Sequence, residues 1–264
     1  MKITIIQSDV IHKNRSANFD KLSETLSEVE EVGDIVLLPE LFATGYIFDT
    51  ADEIHALSEN YNRSPSIDKL SLLAQQYNTV MVAGIAEQDG NEFFNTVAVV
   101  SGSGLICKYR KISQTNVDRQ YFSRGNYPIT FEHKGFTFAV AICFDIWFPE
   151  IIRHYINDGV DVLLHPANFG GEQSLQISTA CAIENNIYIA TCNRVGQEVG
   201  KDFVATYCGS SQVCNPNGEH ILKLNSVENV QTINISKLSG VKKVIGVNLN
   251  DEIKNIKKQL INIV

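Results

Sequence analysis

A mixed α/β architecture, one mixed sheet or two packed sheets with helices outside, follows from three features of the sequence. Short β-branched apolar runs recur along the chain. Segments with helical apolar spacing separate several of these runs. Two further pairs of runs are joined by the tight-turn sequences Ser101-Gly102-Ser103-Gly104 and Asn215-Pro216-Asn217-Gly218, which suit antiparallel hairpins. The 264 residues suffice for one large domain or two small ones. No Pro/Gly/Ser-rich linker or solenoid repeat divides them, so residues 1–264 read as a single domain.

Lys2–Ser8 alternates and is β-branched, a first strand. From Asn18 to Val32, Phe19, Leu22, Leu26 and Val29 follow helical spacing, with Asn14 or Ser16 placed to cap the start. Asp34–Leu38 is an apolar strand ending at Pro39-Glu40. Ser66–Tyr77 is a second helix on Ile67, Leu70, Leu73 and Ala74, and Thr79–Ile85 a strand. Phe94–Val100 and Leu105–Tyr109 form the first hairpin. The second half repeats the layout. Phe136–Ile142 is a strand, and Pro149–Asn157 a helix whose first turn holds Pro149 and Glu150. Asp161–His165 is a strand, Ser174–Glu184 a helix and Ile187–Cys192 a strand. Gly209–Asn215 with Glu219–Leu224 is the second hairpin, Val230–Ile235 the last strand, and Asn250–Val264 a basic, peripheral helix.

Composition excludes several classes. Hydrophobic residues at 44% and charged residues at 20% fit an ordinary globular chain, not a disordered or membrane-spanning one. Lys+Arg 22 against Asp+Glu 30 leaves a net charge of -8, and an acidic surface repels phosphate backbones. Neither a nucleic-acid nor a membrane partner is expected. The six cysteines show no CxxC pair and no histidine at zinc-finger spacing, so no structural zinc is expected. MKITIIQSDV is too short an apolar run for a secretory signal, so reduced thiols and a cytoplasmic setting are expected. Most of the six then read as small buried hydrophobes. The question is whether one is a nucleophile.

Three strand ends carry an ionisable residue in an apolar run: Glu40 in DIVLLPELFATGY, Lys111 in KYRKI and Cys143 in AVAICFDIWFPE. Loops on a rigid sheet are where catalytic groups concentrate. Each also has a plain reading. Glu40 would be an exposed loop acid, Lys111 one cation of the solvated run Lys108-Tyr109-Arg110-Lys111, and Cys143 a core thiol. Their spacing joins none of them.

Together and in that order, LPELFATGY, KYRKI and ICFDIWFPE resemble the nitrilase superfamily of carbon–nitrogen hydrolases. GIAEQDGNEFFNTVAVV around Glu87, HPAN at His165–Asn168 and AIENNIYIATCNRVG at Ala182–Gly196 support the match, which fades after Val230. The resemblance implies an α+β fold, a four-layer αββα sandwich of two mixed sheets flanked by helices. It also implies a homodimer or higher homo-oligomer, a Glu-Lys-Cys triad and no cofactor. Glu40 would take the proton of Cys143 and later activate water, while Lys111 and the backbone N–H of Phe144 would face the oxyanion. Residue chemistry agrees: a thiolate attacks poor carbonyl electrophiles better than water does, and a carboxylate in a dry pocket has its pKa raised toward the working range. A nearby cation would favour the thiolate of Cys143.

Two positions depart from the family pattern. Ser113-Gln114 stands where many relatives have His-Leu, and Asp118 where many have a second glutamate. Asp118 is the candidate second acid, one methylene shorter in reach, or else a surface loop acid. Phe144-Asp145 after the cysteine favours amide chemistry over the Trp-Glu of true nitrilases. Ile146-Trp147 lacks the arginine that omega-amidase-like relatives use on a carboxylate. Trp147 resembles the DQWFPE pattern of the N-carbamoylputrescine amidase branch and would form an apolar or cation-friendly wall, or pack in the core. Arg194 would hold a carboxylate or make an ordinary surface or dimer salt bridge. Tyr46, Asn168 and Phe169 are expected to touch the small-molecule substrate.

The implied activity is a cofactor-independent hydrolase that cleaves a small linear amide or N-carbamoyl compound through a cysteine thioester and releases ammonia. The alternatives are hydrolysis of small aliphatic nitriles, a Cys-His hydrolase or amidotransferase pairing Cys143 with one of the six histidines, such as His165, and a catalytically inactive scaffold of the same fold.

Overall fold

The computed structural model describes residues 1–237 and 243–261, and most of each half of the chain enters its own six-stranded sheet. Lys2–Gln7 (β1) leads through Arg15–Glu28 (α1) to Ile35–Leu37 (β2). After Ala51–His55 (α2) and Pro65–Tyr77 (α3) the chain enters Val80–Asp89 (β3), Glu92–Ser101 (β4) and Gly104–Arg110 (β5). β1, β2 and β3 run parallel, and β3, β4 and β5 form an antiparallel meander. α1 buries Phe19, Leu22 and Leu26, the residues of its apolar spacing, and the Asn14 side chain accepts from Ala17 N at its start. It stops at Glu28 because Val29 turns extended. α3 is opened by the Ser64 cap with Pro65 behind it, and closed by Asn78 in the left-handed region.

The second half begins with Asp118–Tyr121 (α4), Thr130–His133 (β6) and Phe136–Val140 (β7). Pro149–Ile152 (α5), Val162–Ala167 (β8), Gln173–Asn185 (α6) and Tyr188–Asn193 (β9) follow. Gln197–Val199 (β10) and Val204–Thr206 (β11) make a separate ribbon. Gln212–Cys214 (β12) and His220–Lys223 (β13) complete the second sheet in the order β13-β12-β9-β8-β7-β6, with β7, β8 and β9 parallel. Asn229–Asn234 (β14) returns to pair antiparallel with β1, giving the first sheet the order β14-β1-β2-β3-β4-β5. Lys243–Val244 (β15), Val247–Asn248 (β16) and Leu249–Ile261 (α7) end the described chain. The last residues of the expected Asn250–Val264 helix, 262–264, lie outside the described residues.

Alternation along the strands sorts side chains between layers. Ile3, Ile5, Ile35, Leu37, Val80 and Val82 face the second sheet's Phe138, Val140, Val162 and Leu164 in one core. Ile6, Val36, Leu38 and Met81 face the other way, onto Phe19 and Leu22 of α1 and Leu70 of α3. Leu175, Cys181 and Ala182 of α6 cover the far side of the second sheet. The result is the expected helix–sheet–sheet–helix stack. No described helix is long and apolar enough to cross a membrane.

Among the boundaries that moved, two lie in the second half. The expected helix Pro149–Asn157 is a short α5 that tightens into a 3-10 segment, Arg153–Asp158, before Gly159 at φ 65°. β8 runs past His165 through Pro166 to Ala167, although proline donates no ladder hydrogen bond.

Candidate active site

Glu40 lies in the turn after β2, with no solvent exposure. The chain there presses onto β3 at Gly84, where an added Cβ would sit 2.3 Å from Leu41 N. Leu41 itself is left-handed at φ 49°. Only glycine at position 84 allows that approach. Lys111 follows β5 and is pinned to β4 through its N–H on Asn95 O at 2.9 Å. Its Nζ lies 2.8 Å from Glu40 Oε1 and 2.8 Å from Asp118 Oδ2. Asn95 Nδ2 joins the same two acids, donating to Glu40 Oε1 at 2.7 Å and Asp118 Oδ1 at 3.2 Å. Asp118 is buried and is no surface loop acid. Its shorter side chain reaches the lysine because α4 starts there, and Thr115 N and Oγ1 each donate to Oδ2 at 2.9 Å.

Two acids and one cation thus share a dry space, and their pKa values separate. Burial raises Glu40, with Lys111 opposing. Burial also works to raise Asp118, but Lys111 and the Thr115 donors win and hold it low. Lys111 would be lowered by burial, yet Asp118 and Glu40 raise it well above its ordinary value, so it stays charged.

Cys143 comes from the other sheet. It sits just beyond β7 in the left-handed region at φ 46° and opens a 3-10 turn, Cys143–Trp147. Such backbone strain in a non-glycine residue persists only where the surroundings enforce it. Asp145 does much of this: Oδ2 accepts Ile142 N at 2.9 Å and Tyr109 OH at 2.8 Å, and Oδ1 accepts Ser113 N at 2.7 Å. The turn of Cys143 is thereby tied to the loop of Lys111. Burial, then the Glu40 carboxylate, push the thiol well up, against Lys111 and the Asn168 backbone N–H. Lys111 does favour the thiolate, as expected, but it is outweighed. The resting group is the thiol, because desolvation and a carboxylate neighbour outweigh the cation.

The residues expected at the substrate divide. Tyr46 is buried, its hydroxyl 2.5 Å from Thr115 Oγ1 and its ring centroid 5.6 Å from Lys111 Nζ. Asn168 directly follows β8; its backbone N–H lowers the Cys143 thiol's pKa, and its Oδ1 and Nδ2 have no partner. Phe169 is buried, with its N–H on Asn193 Oδ1 at 2.7 Å. Trp147 stands apart: it is 36% exposed, its Nε1 donates to Ser174 Oγ, and its ring leans on Phe144. At that exposure it is not core packing.

Two other readings fall. Arg194 is fully buried, bonded to Glu198, to Val10 O at 3.2 Å and to Asp9 Oδ1 at 3.4 Å, and stacked 4.2 Å over Tyr207. It has no guanidinium edge for a carboxylate and is no surface salt bridge. His165 Nε2 bonds the carbonyl oxygen of Cys143 at 3.0 Å, not the sulfur, which removes it as the base of a Cys-His pair. Cys181, Cys192 and Cys214 are buried and Cys107 and Cys208 half-buried, all unpaired. Among the described residues no group of three or more His, Cys, Asp and Glu side chains is arranged to hold a metal ion.

Residue-level reasoning did not single out Asn95 or Thr115. A signal for Asn95 existed: an asparagine inside the apolar run Phe94–Val100. The buried atoms without a partner include Glu40 Oε2, Asn95 Oδ1, Ser113 Oγ and both Asn168 polar atoms.

Sandwich and strand-end residues define a class. The chain belongs to the carbon–nitrogen hydrolase family, whose model matches residues 2–242. It is 32% identical over 230 residues to a nitrilase from Pyrococcus abyssi, covering 86% of each chain. It is 31% identical over 225 residues to the 2-oxoglutaramate amidase of Bacillus subtilis, covering 82% of this chain and 83% of that one. A solved CN-hydrolase superfamily protein from Xanthomonas campestris, with an arsenic adduct in its active site, shares the fold. It has a TM-score of 0.80 at 23% identity, over 89% of this chain and 90% of that one.

Proposed function

We propose that this carbon–nitrogen hydrolase cleaves a small linear amide or N-carbamoyl compound through a thioester on Cys143 and releases ammonia. The observation that carries the reading is a cationic Lys111 shared by two buried acids, of which Glu40 keeps Oε2 unpartnered beside a thiol.

The steps follow from that arrangement. Glu40 takes the Sγ proton as sulfur attacks the carbonyl carbon, and the carbonyl electron pair moves onto oxygen. Lys111 Nζ and the Phe144 N–H receive that charge, and one preorganised donor of this kind lowers a barrier by roughly 2.7–4 kcal/mol. Collapse breaks the C–N bond, and the proton held on Glu40 leaves with the nitrogen as ammonia. Water then gives a proton to Glu40 and attacks the thioester, the C–S bond breaks, and the thiol recovers its proton. Asp118 stays ionised and holds Lys111 charged and in place.

Nitrile hydrolysis is the second reading, favoured by the likeness to a nitrilase at 32% identity. Ammonia release from a panel of amides, N-carbamoyl compounds and nitriles tests both. Cys143→Ala, Lys111→Ala and Glu40→Gln are each expected to abolish or sharply reduce it. Loss in Cys143→Ala alone, with the other two near wild type, sinks the triad. Inactivity on every compound, together with failure of Cys143 to react with iodoacetamide, supports the inactive scaffold.

A further inference from the structure

His165 is a buried histidine that the proposed chemistry does not use, yet it is bonded to the nucleophile's own backbone. The Cys143 carbonyl and the Phe144 N–H belong to one peptide unit. In a planar trans peptide these two bonds point in opposite directions, so whatever pins the oxygen also aims the hydrogen. Asp145 N is the first amide to bond within the 3-10 turn, on Ile142 O at 2.9 Å, which leaves Phe144 N–H outside the turn's own ladder. We propose that His165 is the positioning residue of the oxyanion site: by holding the Cys143 carbonyl it directs the Phe144 N–H at the developing negative charge. This inference rests on the thioester reading above.

Hydrogen-bond valence fixes the direction of the whole chain. A carbonyl only accepts, so His165 Nε2 carries the ring proton. Burial pushes the ring pKa down to about 4, so the imidazole is neutral and Nδ1 can only accept. Thr191 Oγ1, 3.0 Å from Nδ1, therefore spends its one proton on the ring. Ser178 Oγ, 2.8 Å from Thr191 Oγ1, must then donate to it. Both hydroxyl residues are fully buried, so water does not compete. Ser178, Thr191, His165 and the Cys143–Phe144 peptide form a directed series, each donor polarised by the one before. Such series strengthen by about 10–30% per bond, and the final donor is the Phe144 N–H. The same contact holds Cys143 in its left-handed conformation, which no local sequence preference supplies.

His165→Leu removes the donor, whereas His165→Gln restores an N–H near the Nε2 position. An oxyanion donor acts only in the transition state, so His165→Leu should lower kcat and kcat/KM together by roughly 10- to 100-fold, with KM within about twofold. His165→Gln should recover most of that loss. Alkylation of Cys143 by iodoacetamide, followed by peptide mass mapping, forms no oxyanion and should stay within about threefold of wild type in both variants. A kcat within twofold of wild type in folded His165→Leu overturns the inference. So does a Gln variant no better than Leu, or alkylation that falls in step with kcat. Should the Leu variant not fold, Thr191→Val leaves the ring but removes its donor, and a several-fold fall in kcat with unchanged alkylation is expected; no fall overturns the inference. Ammonia release that survives Cys143→Ala is distinguishable from all of these and overturns the thioester reading, and this inference with it.

Discussion

Two buried ionic clusters lie close together in this molecule, and they differ in what is left over. Around Arg194, the Glu198 carboxylate accepts the guanidinium, Ile47 N at 2.9 Å, Tyr46 N at 3.0 Å and Tyr207 OH at 2.9 Å. Neither Arg194 nor Glu198 has a buried side-chain atom without a partner. Around Lys111, by contrast, Glu40 Oε2, Asn95 Oδ1 and Asn168 are unsatisfied. A buried polar atom without a partner costs about 1–3 kcal/mol, and here several gather around one cation. The first cluster holds the loop of Tyr46; under the proposed function, the open groups of the second meet the substrate.

Substitutions break this contrast in graded ways. Arg194→Met leaves Glu198 charged and unpaired, so unfolding free energy should fall by about 3–5 kcal/mol, read from the urea midpoint, while kcat of the folded protein changes far less. Lys111→Ala should do the reverse to activity, lowering kcat about 10²–10³-fold, or roughly 2.7–4 kcal/mol of barrier, in steady-state ammonia release. Acid should expose His165. Its ring is held at about 4 in the folded protein against an ordinary 6.5, so between those values the unfolded chain binds a proton that the folded one does not. That contribution is complete above about 6.5 and is lost as pH falls toward 4, on the order of 3 kcal/mol. Denaturant titrations across that window should show a shallower loss for His165→Gln. Asn168→Ala should move least: stability within about 1 kcal/mol, because no partner is lost, and KM up roughly threefold to tenfold, the value of one neutral hydrogen bond. A stability loss as large as that of Arg194→Met would place Asn168 among the structural polar groups instead.

Much of the fold was legible because it is written locally. Apolar spacing at Phe19, Leu22 and Leu26, and turn chemistry at Ser101–Gly104 and Asn215–Gly218, need no tertiary knowledge. α4 was not legible: four residues carry no periodicity, and their helix exists because Asp118 is held by Lys111 and Thr115. Pro166 hid the end of β8 for the opposite reason, a local signal overruled by the sheet. In the site, Glu40, Lys111 and Cys143 drew notice through their order along the chain, a resemblance and not a geometry. Whether Arg194 faces solvent or core is no property of its neighbours in sequence. Nor could the strings around Asn95 and His165 reveal that one bridges two acids and the other holds a carbonyl, since both contacts cross between elements far apart in the chain.

The cluster around Lys111 is the one proposed to perform chemistry on the Cys143 sulfur. Acid-quenching the enzyme during turnover of its best amide, followed by peptide mass mapping, tests it most directly. An acyl mass is expected on the peptide containing Cys143, absent from Cys143→Ala together with ammonia release. An acyl mass on the half-buried Cys107 or Cys208, or turnover that persists in Cys143→Ala, would contradict it.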